Sequence, residues 1–278
     1  MRVGLIGMGS IGYPLFQKFL KQKLKINILM DPFYPKQFEK ATIFHSNQFH
    51  EFIEQSHLIF STLPQSAMTL NLVSYIPKPA SETKYWIDLC SSCPQDVFYI
   101  NEILEKLGIE YMDAPVSGGP RQLIEGTLST VISGPITCYQ QAYDVISSYN
   151  QSIFYISGKV GTASAVKQAN NTLVAANLIS VAEVLTVLDK HNIDIDEALH
   201  FINNSSGKSW VSKHSFPEQI LNNEFRSNFT YHHHQKDILT FLRYENLEDT
   251  HFLKMLAKIY GNPEHQFKDH TEVVKIVK

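Results

Sequence analysis

The 278-residue sequence predicts an α/β chain, with a doubly wound parallel sheet over residues 1–157 and an all-helical domain over residues 158–278. Three observations carry this. Up to residue 157, short apolar runs alternate with longer helical patterns, the signature of a parallel α/β sheet. The first apolar run ends in a glycine-rich turn that opens a helical pattern. From Gly161 the pattern changes, and beyond the next long apolar helix no strand-like alternation follows.

The candidate strands, in order, are 2–6, 25–30, 57–62, 85–89, 110–114, 127–133 and 153–156. The apolar start at residues 1–6 is interrupted by glycine and lacks a cleavage region, so it reads as a strand entering a loop rather than as a signal peptide. Two glycines within 157–161 set the domain boundary. The segment Thr162 to Lys190 then carries apolar residues on nearly every face, among them Val166, Leu173, Leu178, Val184 and Leu188. Such a helix must be buried on most sides, so it predicts the central post of a helical domain or of a dimer. Its apolar stretch 172–188 holds Asn177 and Glu183 and falls short of a membrane span.

Composition narrows the function classes. With 44% hydrophobic and 18% charged residues the chain can bury two cores. A net charge of -3 and the absence of a Lys/Arg block give no footprint for nucleic acid or an anionic membrane. Three cysteines make no disulfide framework, and a reducing, cytoplasmic compartment is expected.

The run Gly7-Met8-Gly9-Ser10-Ile11-Gly12 follows a strand and precedes the helical pattern 13–23. Gly7 permits the tight turn, Gly9 lets a pyrophosphate approach the backbone, and Gly12 lets helix and strand pack closely. A match of this kind in isolation is an ordinary glycine-rich turn. Its place between strand and helix at the start of the sheet favours a Rossmann-type dinucleotide site, with the phosphates at a helix N-terminus. Asp31 ends the second strand about 20 residues on, where a carboxylate accepts from the adenosine ribose hydroxyls. It also suits an Asx-turn before Pro32. The ribose reading favours NAD, with NADP as the alternative.

Residues 113–119 end a strand and open into a loop in which Ser117, Gly118 and Gly119 make a compact anion cradle suited to a carboxylate. Taken alone, an ordinary strand-to-loop turn is the simpler reading. In the long apolar helix, Lys167, Asn170 and Asn171 share one face by their spacing of three and four. A lysine buried with two amides is costly unless it has partners or chemistry to do, and a salt-bridged lysine at a helix start is the competing reading.

These residues together resemble the β-hydroxyacid dehydrogenases, which include 3-hydroxyisobutyrate dehydrogenase, tartronate semialdehyde reductase and, more distantly, 6-phosphogluconate dehydrogenase. The resemblance runs almost end to end. It covers the glycine loop, Leu63-Pro64, Asp88-Leu89-Cys90-Ser91 with Pro94, residues 113–119 with Gly126-Thr127-Leu128, and Gly161 with Lys167 and Asn170-Asn171. It continues through Asn204 to Trp210 and ends at Lys236-Asp237. It implies Lys167 as catalytic acid/base and Asn171 as the residue that positions it or the substrate. It also implies Ser117, Gly118 and Gly119 on the substrate carboxylate, Asn170 and Trp210 near the substrate, Leu63, Pro64 and Ser91 along the cofactor, and Lys236 at its cleft with Asp237 behind.

The implied reaction moves a hydride between a nicotinamide and a small 3-hydroxy acid, 3-hydroxyisobutyrate-like, in a homo-oligomer, dimer or tetramer. A lysine acting as base near neutrality needs a pKa below the free value of about 10.4, which burial and a cationic nicotinamide supply. A semialdehyde or imine reductase on the same scaffold is the rival within catalysis, and a dinucleotide-binding regulator is the rival outside it. Imine reductases of this fold usually lack the lysine. His233 and His234 stand where an apolar pair is usual, which bears on the pocket or on domain closure. Two decoys carry no site: the Cys90–Cys93 spacing has no second pair for zinc, and His232, His233 and His234 diverge around a helix. No metal is expected.

Overall fold

The computed structural model describes residues 2–29, 40–76, 83–225, 227, 229–244 and 250–277. The chain forms two compact units, Met1–Lys167 and Gln168–Lys278.

In the first unit, strands β1 (Arg2–Ile6), β2 (Lys25–Leu29), β3 (Ala41–Phe44), β4 (Leu58–Ser61), β5 (Tyr85–Asp88) and β6 (Glu110–Asp113) run parallel in the order β3-β2-β1-β4-β5-β6. The sheet continues through β7 (Val116–Ser117), β8 (Leu128–Ser133) and β9 (Asn150–Ser157), with β8 antiparallel to β6 and β7 and parallel to β9. The sheet is therefore mixed at this end and doubly wound parallel elsewhere. Strands β3 and β7 were not foreseen: β3 lies at the sheet edge with only Phe44 buried, so it shows no buried apolar run, and β7 has only two residues.

Alternate strand residues face opposite sides, as a period of two dictates. Val3 and Leu5 enter a core with Leu15, Phe16 and Phe19 of α1 (Gly12–Lys21), whereas Ile6 faces the core that holds Phe52 and Ile53 of α2 (Phe49–Gln55). The remaining helices of the sheet unit are α3 (Ser66–Val73), α4 (Pro94–Lys106), α5 (Pro120–Glu125) and α6 (Ile136–Ser147).

Helix α7 (Thr162–Lys190) starts in the first unit and continues into the second. There it is joined by α8 (Ile195–Asn203), a π-type helical segment Val211–Ile220, α9 (Tyr231–Tyr244), α10 (His251–Tyr260) and a 3-10 segment His270–Ile276. The core of this second unit gathers Leu178, Ile179, Leu185, Leu199, Ile238 and Leu256.

α7 departs from expectation in two ways. Val166, Leu173, Val184 and Val187 are exposed, so the helix is not buried on most sides within one chain. At 29 residues it is also longer than the 172–188 stretch and meets, by length and composition alone, the requirement for crossing a membrane; its most apolar window is 39% buried.

Candidate active site

The register of the parallel strands aligns Ile6, Ser61, Asp88 and Asp113 across β1, β4, β5 and β6. The loops that follow these strands therefore leave the sheet at one level. The strand order reverses between β1 and β4, the switch point at which ligands settle outside the carboxyl ends of such sheets.

The first of these loops is the glycine run. Gly7 has φ +85°, a left-handed conformation that L side chains disfavour. A Cβ on Gly12 would lie 1.8 Å from the Gly7 carbonyl oxygen, so only glycine lets α1 start this close to β1. A Cβ on Gly9 would meet nothing within 4 Å. That open backbone beside a helix N-terminus fits a diphosphate, whose charge suits the first helical amides. Met8 is buried, Ser10 is exposed, and Ile11 is half-buried against the first sheet core.

Thr62 secures the loop from the neighbouring strand. Its hydroxyl donates to the Gly7 carbonyl at 2.7 Å and its amide donates to the Ile6 carbonyl at 2.9 Å. Leu63 packs against the second sheet core and Pro64 is exposed beside it. Sequence reading passed over Thr62; its signal was its place directly after an apolar strand.

Asp88 organises the loop that carries half-buried Ser91. Its carboxylate is fully buried and accepts from Ser61 Oγ at 2.9 Å, Tyr111 Oη at 3.2 Å, Cys90 N at 3.2 Å and Ser92 Oγ at 3.4 Å. Burial pushes its pKa up to about 6, against the lowering effect of Ser61, Cys90 and Tyr111 and with an upward push from Asp113. Cys90, Cys93 and Cys138 are free thiols.

Asp113 ties β6 to the start of α7. Its oxygens accept from Ser133 Oγ at 2.5 Å, Gly161 N at 3.0 Å, and Ser164 N and Oγ at 2.8 and 2.9 Å. Burial raises its pKa, while these bonds favour the charged form. Lys167 follows Ser164 by three residues and is half-buried.

The expected anion cradle is only partly open. Ser117 pairs with Ser129 across β7 and β8, and Gly118 has φ +117° with its would-be Cβ 2.6 Å from Leu128. The Gly119 amide donates to Gln122 Oε1 at 2.9 Å, so a carboxylate must displace the glutamine to reach it.

In the second unit, Asn171 is buried and its Nδ2 donates to Asp237 Oδ2 at 2.7 Å. Lys236 Nζ lies 3.1 Å from Asp237 Oδ1. Asn170 is exposed rather than buried with its neighbours, and its Nδ2 donates to Asn171 Oδ1 at 3.3 Å. Trp210 is 61% exposed and lies against His214 at 5.2 Å. Asp31 lies outside the described residues. The three consecutive histidines diverge: His232 is exposed, His233 half-buried and His234 buried. Among the described residues no group of three or more His, Cys, Asp or Glu side chains could hold a metal.

Residues 2–158 match the family model for the NAD binding domain of 6-phosphogluconate dehydrogenase, and residues 161–277 match that for NAD-binding of NADP-dependent 3-hydroxyisobutyrate dehydrogenase. The chain belongs to the β-hydroxyacid dehydrogenase family. As a β-hydroxyacid dehydrogenase it is an NAD(P)-dependent oxidoreductase. It is 25% identical over 244 residues to 2-(hydroxymethyl)glutarate dehydrogenase of Eubacterium barkeri, covering 86% of this chain and 80% of that protein. It is 29% identical over 215 residues to mitochondrial 3-hydroxyisobutyrate dehydrogenase of Mus musculus, covering 76% of this chain but only 64% of that protein. The structure of Mycobacterium tuberculosis 3-hydroxyisobutyrate dehydrogenase with L-serine superposes with a TM-score of 0.86 at 20% identity, covering 100% of this chain and 99% of that one, which shows the shared fold.

Proposed function

We propose that this β-hydroxyacid dehydrogenase oxidises the hydroxyl of a small 3-hydroxy acid, 3-hydroxyisobutyrate-like, with Lys167 as general acid/base. The observation that carries the reading is the anchoring of the first turn of α7 by Asp113, which gives Lys167 a rigid support at the carboxyl edge of β6. A precise proton transfer needs such a support.

The bound nicotinamide supplies the hydride acceptor for oxidation and the donor for reduction. Gly7, Met8, Gly9, Ser10, Ile11 and Gly12 hold its diphosphate, and Leu63, Pro64, Ser91 and Lys236 line its course. Asp31 takes the ribose hydroxyls and makes NAD the preferred form, with NADP the alternative. Ser117, Gly118 and Gly119 bind the substrate carboxylate, Asn170 and Trp210 flank it, and Asn171 orients the proton-transfer group. Neutral Lys167 removes the hydroxyl proton as the carbon is oxidised; in reduction its ammonium returns that proton.

The functional boundary belongs at 157/158, ahead of the helix that carries the lysine. The exposed Val166, Leu173, Val184 and Val187 stripe of α7 suits a second copy of the chain, which supports a homo-oligomer with a homodimer as the simplest form. The near-neutral charge and the free cysteines support a cytoplasmic enzyme acting without a membrane or nucleic-acid partner.

Lys167→Ala tests the mechanism. Turnover should fall by about 10²–10⁴-fold with NAD binding retained, and Lys167→Arg should not restore it, because a guanidinium keeps its proton. A folded, NAD-binding Lys167→Ala protein with wild-type turnover overturns the reading. A panel of 3-hydroxyisobutyrate, serine, glycerate, 4-hydroxybutyrate and 2-(hydroxymethyl)glutarate, followed at the nicotinamide absorbance, identifies the acid.

A further inference from the structure

Asp237 and His234 lie three residues apart on α9, so they share a helix face. Both grip the same residue. Asp237 Oδ2 accepts from the Asn171 side-chain amide at 2.7 Å, and His234 Nε2 stands 2.8 Å from the Asn171 carbonyl oxygen. A carbonyl oxygen only accepts, so Nε2 carries a proton and donates it. His234, Asn171 and Asp237 are all buried, so water does not compete for either bond.

The imidazole of His234 is itself held on several sides. Phe229, Tyr260 and His270 surround it with ring centroids at 5.3, 5.5 and 5.1 Å. His270 is fixed in turn, with Nδ1 2.7 Å from Ser227 Oγ and 3.5 Å from Asp269 Oδ1. Burial alone would raise the Asp269 carboxyl, but hydrogen bonds from His270, Thr271 and Ser227 outweigh it and hold the group well below the usual carboxylate range. An ionised carboxylate only accepts, so the Ser227 hydroxyl donates to Asp269 Oδ2 at 2.8 Å. That hydroxyl has one proton, and His270 Nδ1–H therefore donates to Ser227 Oγ. The chain Asp269, Ser227, His270 buttresses His234.

Packing alone does not require this arrangement, because an apolar side chain fills such a volume without the cost of burying an imidazole. What the histidine adds is a donor aimed at Asn171. We infer that His234 is a positioning residue for Asn171, which it clamps together with Asp237 at both carbonyl and side-chain amide. The clamp commits Nδ2 to Asp237 and leaves Oδ1 as the amide's acceptor, one helical turn after Lys167. This inference rests on the proposed role of Asn171 in orienting the proton transfer.

His234→Leu, His234→Gln, Asn171→Ala and the His234→Leu/Asn171→Ala double variant separate the possibilities. Each is checked for folding by thermal melting and for its NAD KM. His234→Leu should keep the NAD KM and lose roughly 10-fold to 100-fold in kcat, as expected when a catalytic group is displaced by up to an ångström. His234→Gln, which retains a donor, should recover most of that loss. In the Asn171→Ala background, His234→Leu should leave kcat unchanged. An unimpaired His234→Leu enzyme beside an impaired Asn171→Ala enzyme overturns the clamp alone. Equal losses from His234→Leu in both backgrounds assign His234 a merely structural role. Wild-type kcat in Asn171→Ala refutes the catalytic reading of Asn171, and the Asn171 side-chain amide NMR signals then judge the clamp: displaced in His234→Leu if it exists, unmoved if it does not.

Discussion

The Asp113 carboxylate accepts from both the backbone amide and the hydroxyl of Ser164, at 2.8 and 2.9 Å. A strand end and a helix start are thereby joined three residues ahead of Lys167. The negative charge also sits at the helix N-terminus, where the peptide dipoles favour it. Buried donors left unsatisfied cost about 1–3 kcal/mol each, and Asp113 serves Ser133, Gly161 and Ser164.

Asp113→Asn should therefore lower stability by about 2–5 kcal/mol, because one amide group turns N–H bonds against these donors. Urea denaturation measures it. In the fraction that folds, kcat should fall more than NAD affinity, since the lysine support is lost and the glycine loop is not. Unchanged stability would show that the four contacts contribute nothing net.

Asp88 and Asp269 should give opposite pH dependences. The folded pKa of Asp88 is raised from 3.8 to about 6, so its contribution to stability is fully present below the unfolded value and is lost as pH rises through 6. The shift corresponds to something on the order of 3 kcal/mol. Asp269 is shifted down, so its contribution is present above the unfolded pKa and lost as pH falls. Melting curves between about pH 3 and pH 7 should show Asp88→Asn flattening the fall on the neutral side and Asp269→Asn flattening the fall on the acid side. A variant whose curve runs parallel to wild type removes that group from the account.

The central strands were legible because burial on both faces leaves an apolar run to read. β1, β4, β5 and β6 each show an apolar run, and the glycine loop has steric demands that the structure reproduces at Gly7 and Gly12. The edge strand β3 buries only Phe44 and β7 has two residues, so neither shows such a run. The supports of the site were harder to see. Thr62, Asp88, Ser133 and Ser164 act through contacts between residues 20 to 56 positions apart, and no local pattern announces such pairs. Asn170 was grouped with Asn171 because spacing sets a face, but the edge of that face is exposed.

The proposed preference for NAD rests on Asp31. A carboxylate that accepts from two ribose hydroxyls repels a 2′-phosphate, so kcat/KM should favour NAD. Asp31→Ser should narrow the gap between the two cofactors by raising KM for NAD and lowering it for NADP. An intact enzyme that prefers NADP removes Asp31 from this role.

The proposed carboxylate cradle makes a sharper forecast because Gln122 already accepts from one of its amides. The Gln122 side chain accepts from the Gly119 amide at 2.9 Å, while Ser117 and Gly118 precede it in the turn. A substrate carboxylate using that amide must displace Gln122 Oε1 and make a charge-assisted bond in its place. Ser117→Ala should raise KM for the hydroxy acid by about 10–150-fold, the loss of one hydrogen bond to a charged group, with the NAD KM unaffected. Gln122→Ala frees the Gly119 amide in the resting enzyme and should lower KM for the acid, unless the glutamine also orders the turn. Gln122→Glu separates these effects, since it retains an acceptor for the amide but adds a negative charge beside the incoming carboxylate; it should raise KM for the acid, increasingly so as salt is reduced. If both Gln122 variants leave KM for the acid unchanged while Ser117→Ala weakens NAD instead, the cradle serves the cofactor and the carboxylate is bound elsewhere.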